Sequence, residues 1–256
     1  MSVFELRSTQ PSPAADDRPQ NNLLRRLQPA DYDLLAPRLA GVSRAAGDLV
    51  YNPGDNVELV LFPCGPALVS YLVVNEDGRD VETALVGREG AIGGLVSLGR
   101  LPAYCKIWIK YPGTFMQMPV SVLNDAKEQS TSLRLLFARY ADCLLAQIFQ
   151  SAACNAIHSI EQRTAKWILA SVERTGDHKV PITQEELAGM LGVGRSYTSR
   201  VIQTMKAERI LETGRGALLI RNFDALRARA CLCNESVKDH FESVLQGLYP
   251  AADDPA

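Results

Sequence analysis

The residues best suited to chemistry lie between positions 181 and 221. Arg195, Ser196, Tyr197, Ser199 and Arg200 open a segment whose apolar positions, Ile202 and Met205, fall at helical spacing. A guanidinium makes paired hydrogen bonds to the edge of guanine, and a serine hydroxyl donates or accepts at several base edges. The same side chains bind phosphate oxygens. Upstream, Thr183 stands three residues before Glu186, the spacing of a capping box. Leu187, Ala188 and Leu191 form the apolar face of the short helix that follows, and Gly192 ends it. Thr183 and Gln184 thus occupy a helix start, where amides and side chains can hold phosphate.

Two short helices joined by a glycine-containing turn form a helix-turn-helix, whose second helix places its N-terminal side chains in the DNA major groove. Residues 210–212 and 217–220 flank Thr213-Gly214-Arg215-Gly216 and read as a β-hairpin, the wing of a winged helix, with Arg215 set to hold phosphate. Between Arg195 and Arg229 eight basic residues face three acids (Glu208, Glu212 and Asp224), a local excess of five positive charges. The whole chain carries a net charge of -2. A basic module inside an acidic protein is the electrostatic footprint of phosphate binding. A protein partner for the winged helix is the alternative, and the basic wing argues against it.

The flanking segments must position and pair this module. Residues 120–175 contain almost no helix breakers. Leu133, Leu136, Phe137, Tyr140, Leu144 and Ile148 form a stripe at helical spacing that has to be buried, by a second copy of the chain or by the chain's own sheet domain. The first option makes the helix over about 130–154 a dimer seam. Ala156 to Arg174 continues as a further helix, ended by Thr175-Gly176-Asp177. Residues 41–119 alternate short apolar runs with Gly and Pro. Strands are expected at 49–51, 57–62, 68–74, 81–86, 106–110 and 114–118, with Asp77-Gly78 as a hairpin turn. Before them, two short helices are expected between Leu23 and Ala40, the second opened by Pro29 and Asp31. Residues 8–22 and 250–256 are poor in core-forming side chains and read as disordered.

In this order the motifs resemble the CRP/FNR transcription regulators. Ile182-Thr183-Gln184-Glu185-Glu186-Leu187-Ala188, Leu191-Gly192-Val193-Gly194-Arg195, Ser199-Arg200-Val201-Ile202 and Ile210-Leu211 carry the resemblance in the helix-turn-helix. Gly47-Asp48-Leu49, Gly54-Asp55 and Gly65 carry it, more loosely, in the sheet region. The resemblance implies an α+β fold: an N-terminal β-roll (a cyclic-nucleotide-binding-like jelly roll), a long dimerisation helix and a C-terminal winged helix-turn-helix. The expected organisation is an arm over 1–22, a β-roll sensory domain over 23–129, a dimerisation helix over 130–156, a DNA-binding domain over 157–230 and an extension over 231–256. The implied partners are double-stranded DNA at a pseudo-palindromic site, a second copy of the chain, and RNA polymerase.

Two departures from the family pattern bear on function. The family's cyclic-AMP binders use a Gly-Glu-Leu turn for the ribose and an Arg-Ser or Arg-Thr pair for the cyclic phosphate. Here the turn is Gly93-Gly94-Leu95, and Pro102 to Cys105 holds no arginine, with Arg100 at the wrong spacing. Loss of the guanidinium removes a charge-assisted pair, so cyclic AMP is not expected in the usual mode. Another ligand such as a cyclic dinucleotide, thiol redox control, or no effector remain as alternatives. In the recognition helix Ser196 replaces the Glu that many members carry, which implies a different half-site.

Other classes find less support. The chain has no Gly-rich phosphate loop, no Gly-x-Ser-x-Gly elbow and no His-Glu-x-x-His, so an enzyme is not expected and no catalytic residue is named. Cys64, Cys105, Cys143, Cys154, Cys231 and Cys233 show no metal-finger spacing; Cys231-Leu232-Cys233 is a close pair, and ordinary free thiols are expected, with a redox or metal role for the pair as the alternative. No cysteine precedes Cys64, which excludes the family's N-terminal iron–sulfur cluster. His158, His178 and His240 are far apart in sequence; His158 is expected to cap or pack between helices, and no metal or cofactor is predicted. No apolar run reaches the ~18 residues of a membrane span, and Met1 to Gln10 lacks a signal-peptide core. No membrane contact and a cytoplasmic location are expected.

Overall fold

The computed structural model describes residues 17–76, 80–95 and 101–246. The Asp77-Gly78 turn, Arg100, the first 16 residues and residues 250–256 lie outside them. Two short helices, α1 (Asn22–Arg26) and α2 (Pro29–Leu35), lead into seven strands: β1 (Ala40–Arg44), β2 (Leu49–Tyr51), β3 (Leu59–Pro63), β4 (Leu68–Val74), β5 (Asp80–Val86), β6 (Lys106–Tyr111) and β7 (Gly113–Pro119). They form two antiparallel sheets in the orders β1-β7-β3 and β2-β6-β4-β5. This is the expected β-roll. Between the sheets lie Val60, Phe62, Val69, Val86, Ile92, Ile109 and Phe115, all fully buried.

Strand β1 was not expected. Ala-Gly-Val-Ser-Arg holds one β-branched apolar residue and is mostly exposed, so its sequence carries little strand signal; pairing with β7 makes it a strand. The arm also ends earlier than its polar composition suggests. Arg18 is buried, lies 4.4 Å over the Tyr32 ring and donates to the Leu27 carbonyl. Asn21 is fully buried. Its Nδ2 donates to the carbonyls of Pro63 (2.9 Å) and Gly90 (2.8 Å), while its Oδ1 caps α1. Polarity here marks buried hydrogen bonding, which composition cannot distinguish from solvation.

A short helix, α3 (Val120–Gln129), precedes the long helix α4 (Thr131–Ile157), capped by Ser130. Ser130 and Ser132 both donate to the buried carboxylate of Asp31, which fastens the start of α4 to α2. The stripe assigned to the dimer seam turns inward instead. Leu133, Leu136, Phe137 and Tyr140 are buried in the β-roll core, and Leu144 packs against it. Tyr140 Oη both accepts from the Ala91 amide and donates to its carbonyl. Of the six residues in that stripe only Ile148 is exposed. The sheet and the large side chains of β3 and the loop after β5 claim the face that periodicity alone could equally give to a partner.

The C-terminal extension is likewise structural. Helix α9 (Cys233–Leu245) lies along α4, with Phe241 edge-on to Tyr140 at 6.2 Å and Leu245 in the β-roll core. Glu242 pairs with Arg26 of α1 at 2.9 Å.

Asn21→Ala should lower stability by roughly 2–3 kcal/mol, since it leaves two buried carbonyls unpaired and removes a cap. Urea unfolding by circular dichroism measures it. An effect below about 0.5 kcal/mol would return this segment to a solvated arm.

Candidate nucleic-acid interface

After α4, helix α5 (Ile160–Thr175) carries its own capping box between Ser159 and Gln162 and ends at Gly176. Strand β8 (Lys179–Val180) follows, then α6 (Gln184–Met190), α7 (Arg195–Ala207), β9 (Leu211–Gly214), β10 (Ala217–Ile220) and α8 (Phe223–Arg229). Strands pair in the order β8-β10-β9. The helix-turn-helix and the wing stand where the sequence puts them, because each is specified locally. Thr183 Oγ1 accepts from the Glu186 amide at 3.1 Å and Glu186 accepts from the Thr183 amide at 2.7 Å. Gly192, at φ 68°, takes the left-handed conformation that turns the chain toward α7. Leu187, Ile202, Met205, Leu211 and Leu218 fill the core that holds the two helices and the wing together.

The proposed reading side chains emerge on one end of α7. Arg195, Ser196, Tyr197 and Arg200 are exposed, and Ser199 is half-buried. Thr198, between them, is buried. The Arg200 guanidinium lies 5.2 Å from the Tyr197 ring centroid, which gives both side chains a shared orientation. Arg195 pairs with Glu185 at 3.1 Å, but both side chains are at least 70% exposed. Such a pair is worth about 0–1 kcal/mol and opens readily. Thr183, Gln184, Glu185, Arg195 and the wing residues Thr213 and Gly214 border one concave surface. Thr183 is already committed to its capping box, and the adjoining Glu185 and Glu186 are acidic. An anion there depends on Arg195 for its charge.

The structure divides the eight basic residues. Arg200, Lys206, Arg209 and Arg215 have no ion pair among the described residues. Arg221 pairs with Glu212 at 2.8 Å, Arg227 with Glu173 at 3.2 Å, and Arg229 with Glu161 and Glu208. The last two tie α8 to α5 and to the end of α7, so they stabilise the domain. The unpaired charge lies on α7, the turn after it and the wing tip.

This module is docked on the β-roll. The Trp167 indole of α5 donates to Glu82 of β5 at 2.6 Å, and Ser70 of β4 donates to the same carboxylate at 2.6 Å. Burial raises the Glu82 carboxyl above its ordinary value against these bonds. Lys110, buried between the Trp108 and Trp167 rings, is held below its ordinary value by the same desolvation. Arg174 Nε contacts Glu89 Oε1 at 2.7 Å with both side chains largely covered. Burial would raise the Glu89 carboxyl, but the charge and hydrogen bond of Arg174 outweigh it and hold the group below its ordinary value. The two contacts that join α5 to the β-roll through a carboxylate, Trp167 with Glu82 and Arg174 with Glu89, were not foreseen, since each joins residues 85 positions apart.

The close pair Cys231 and Cys233 also meets two residues that the sequence did not connect with it. Cys154 and His158, four residues apart at the end of α4, lie beside Cys231 and Cys233, which bracket Leu232 before and at the start of α9. The Cys-x-x-x-His and Cys-x-Cys spacings were the available signal; their separation of 77 positions hid it.

Comparison with known proteins agrees with this architecture. Residues 162–229 match the Crp-like helix-turn-helix domain. No curated protein matches the chain. Among solved structures, FixK2 from Bradyrhizobium japonicum aligns over 75% of this chain and 98% of its own, with a TM-score of 0.63 and 15% identity. The c-di-GMP responsive global regulator CLP of Xanthomonas campestris aligns over 75% and 99%, with a TM-score of 0.61 and 14% identity. A CooA variant from Carboxydothermus hydrogenoformans aligns over 83% and 95%, with a TM-score of 0.56 and 16% identity. At these identities the likeness is one of fold.

Glu89→Gln should uncouple the β-roll from α5. A carboxylate held below its ordinary value contributes stability that is present above the unfolded value near ~4.3 and lost as pH falls through the folded one. The wild type should therefore lose part of its stability over the unfolding pH in acid, while the variant, weaker by about 1–3 kcal/mol at neutral pH, shows a shallower acid slope. Equal slopes in chemical denaturation at pH 3.5–7 (about the carboxylate range) would remove the ion pair from the coupling.

Proposed function

We propose that this chain is a CRP/FNR-type DNA-binding transcription regulator, supported by its Crp-like helix-turn-helix domain and its likeness in fold to such regulators, and that it acts as a homodimer on a pseudo-palindromic site. The observation that carries this reading is the exposed row Arg195, Ser196, Tyr197 and Arg200 at the start of α7, flanked by Arg215 on the wing. Arg195 and Arg200 read guanine or hold adjacent phosphates, and Ser196, Tyr197 and Ser199 supply hydroxyls to base edges or phosphates. Arg215 contacts the backbone from the wing, and Gln184 from the start of α6. Thr183 acts mainly by fixing that start. RNA polymerase is the further partner expected of such a regulator.

The dimer uses the outward face of α4. Leu135, Leu145, Ile148 and Phe149 are 48%, 46%, 43% and 63% exposed. Leu135, Ala138, Leu145, Phe149, Ala152 and Ala156 recur at alternating steps of three and four, interrupted at the heptad position of Asp142. That is the repeat of a two-helix seam, offset around the helix from the buried stripe. An apolar row on a long exposed helix favours association with a second copy.

The β-roll supports control by something other than cyclic AMP in the usual mode. Gly93 has φ 115°, and a Cβ there would lie 2.2 Å from the Leu59 carbonyl oxygen. Gly94 beside it offers no carboxylate, and a Cβ there would sit 3.1 Å from Val120. Ala103 is buried with its amide on Asp55 and its carbonyl on Gly54. A cyclic dinucleotide is the second reading, favoured by the likeness in fold to the c-di-GMP responsive CLP.

Selection from a random duplex pool, with no small molecule added, tests the function. A two-fold symmetric motif supports it; a folded dimer that enriches no motif with or without added cyclic nucleotides would overturn it. On the selected site, Arg195→Ala should cost about 1–3 kcal/mol and relax preference at one position of each half-site, whereas Arg215→Ala should weaken all sequences alike and lower the salt slope by about 1. Undiminished binding by both variants would displace the interface. Phe149→Glu should yield a monomer in sedimentation equilibrium and lose DNA affinity, and a dimeric variant would move the seam elsewhere.

A further inference from the structure

Cys154 Sγ, His158 Nδ1, Cys231 Sγ and Cys233 Sγ form a group whose candidate ligand atoms all lie within 4.8 Å of one another. The three sulfurs are buried. Cys154 and Cys231 are 3.6 Å apart, and Cys233 lies 3.4 Å from His158 Nδ1. Around a tetrahedral zinc ion, bond lengths near 2.3 Å to sulfur and 2.0–2.1 Å to nitrogen give edges of about 3.8 Å between two sulfurs and about 3.6 Å between sulfur and nitrogen. Two edges of the group already approach those lengths. Three cysteines and one histidine are also a complete donor set for a closed structural site.

Two of the sulfurs have polar donors set against them. Lys166 Nζ lies 3.4 Å from Cys154 Sγ, and Gln150 Nε2 lies 3.1 Å from Cys233 Sγ. A buried cluster of neutral thiols behaves as a small apolar core and does not need a lysine and an amide directed at it. Three thiolates around a divalent cation carry a net charge of one negative unit, which the Lys166 ammonium balances. Donors of this kind around metal-bound sulfur are typical outer partners of metal sites. Cys233 and Lys166 also line the cleft between β5, α4, α5 and α9, which gives a metal ion a way in.

We propose that Cys154, His158, Cys231 and Cys233 bind a zinc ion through three thiolates and one imidazole. The site closes where the ends of four helices meet. His158 ends α4 immediately before Ser159 starts α5, Cys231 stands between α8 and α9, and Cys233 opens α9. A zinc ion there fastens the C-terminal helix to the joint between the long helix and the DNA-binding domain. The proposal is independent of the DNA-binding reading, since it rests on ligand geometry alone.

The full-length chain, purified under reducing conditions without chelator, tests it by elemental analysis and by cobalt substitution. The expected result is about one zinc per chain. Replacement by Co2+ should give the intense visible bands of a tetrahedral site together with thiolate-to-cobalt charge transfer in the near ultraviolet. Cys154→Ser and Cys231→Ser should lower metal content sharply, and Cys105→Ser, outside the group, should leave it unchanged. Lys166→Met should weaken zinc binding about 10-fold or more. The wild-type cobalt spectrum keeps the test valid even where a cysteine variant fails to fold. Zinc at background level with no thiolate–cobalt band overturns the proposal. A Cys154–Cys231 disulfide in metal-free protein, or undiminished zinc in folded Cys154→Ser and Cys231→Ser, overturns it equally.

Discussion

The arrangement depends on how the surface of one helix is shared. Helix α4 is 27 residues long and largely apolar, so water cannot be left against all of it. One face enters the β-roll core through Leu133, Leu136, Phe137 and Tyr140. A second is covered by α9, where Arg139 donates to the Val244 carbonyl and Gln150 to Cys233 Sγ. The third, with Leu135, Leu145 and Phe149, stays open. Burial of the first face sets the azimuth of the helix, and that choice decides which residues a second copy can meet. In the proposed dimer the sheet domain thereby selects the seam.

The same helix carries the geometry toward the DNA-binding end. Its last turn hands over at His158 to Ser159 and α5, and α5 is held to the β-roll by Trp167 on Glu82 and Arg174 on Glu89. Beside these polar contacts, Leu72 of β4 and Trp108 of β6 pack into the apolar core of the DNA-binding domain. The cysteine–histidine group lies beside this junction, so a metal ion bound there would stiffen the joint from the C-terminal side.

The local devices of the DNA-binding domain were legible before any fold was known. The Thr183–Glu186 capping box, the Gly192 turn and the wing around Arg215 each depend on residues within a few positions of one another. Propensity and hydrogen-bonding chemistry specify them without help from the remainder of the chain. The β-roll was legible for a related reason: alternation and punctuation by Gly and Pro mark most of its strands. β1 escaped because only its pairing with β7 makes it a strand. The role of Arg18 and Asn21 escaped because composition registers polar residues and does not register what they bond to.

The sequence by itself determined the element order, the helix-turn-helix, the wing and the side chains at the start of α7, because these follow from short-range spacing. Tertiary structure alone decided the outward face of α4, since a helix stripe of ambiguous phase is resolved by what packs on it. It alone decided which arginines are free for phosphate and which are spent on Glu173, Glu161 and Glu208. It alone brought Cys154 and His158 to Cys231 and Cys233. Each of those outcomes joins positions distant along the chain, and their distance in space is set by the packing of whole elements rather than by any local preference.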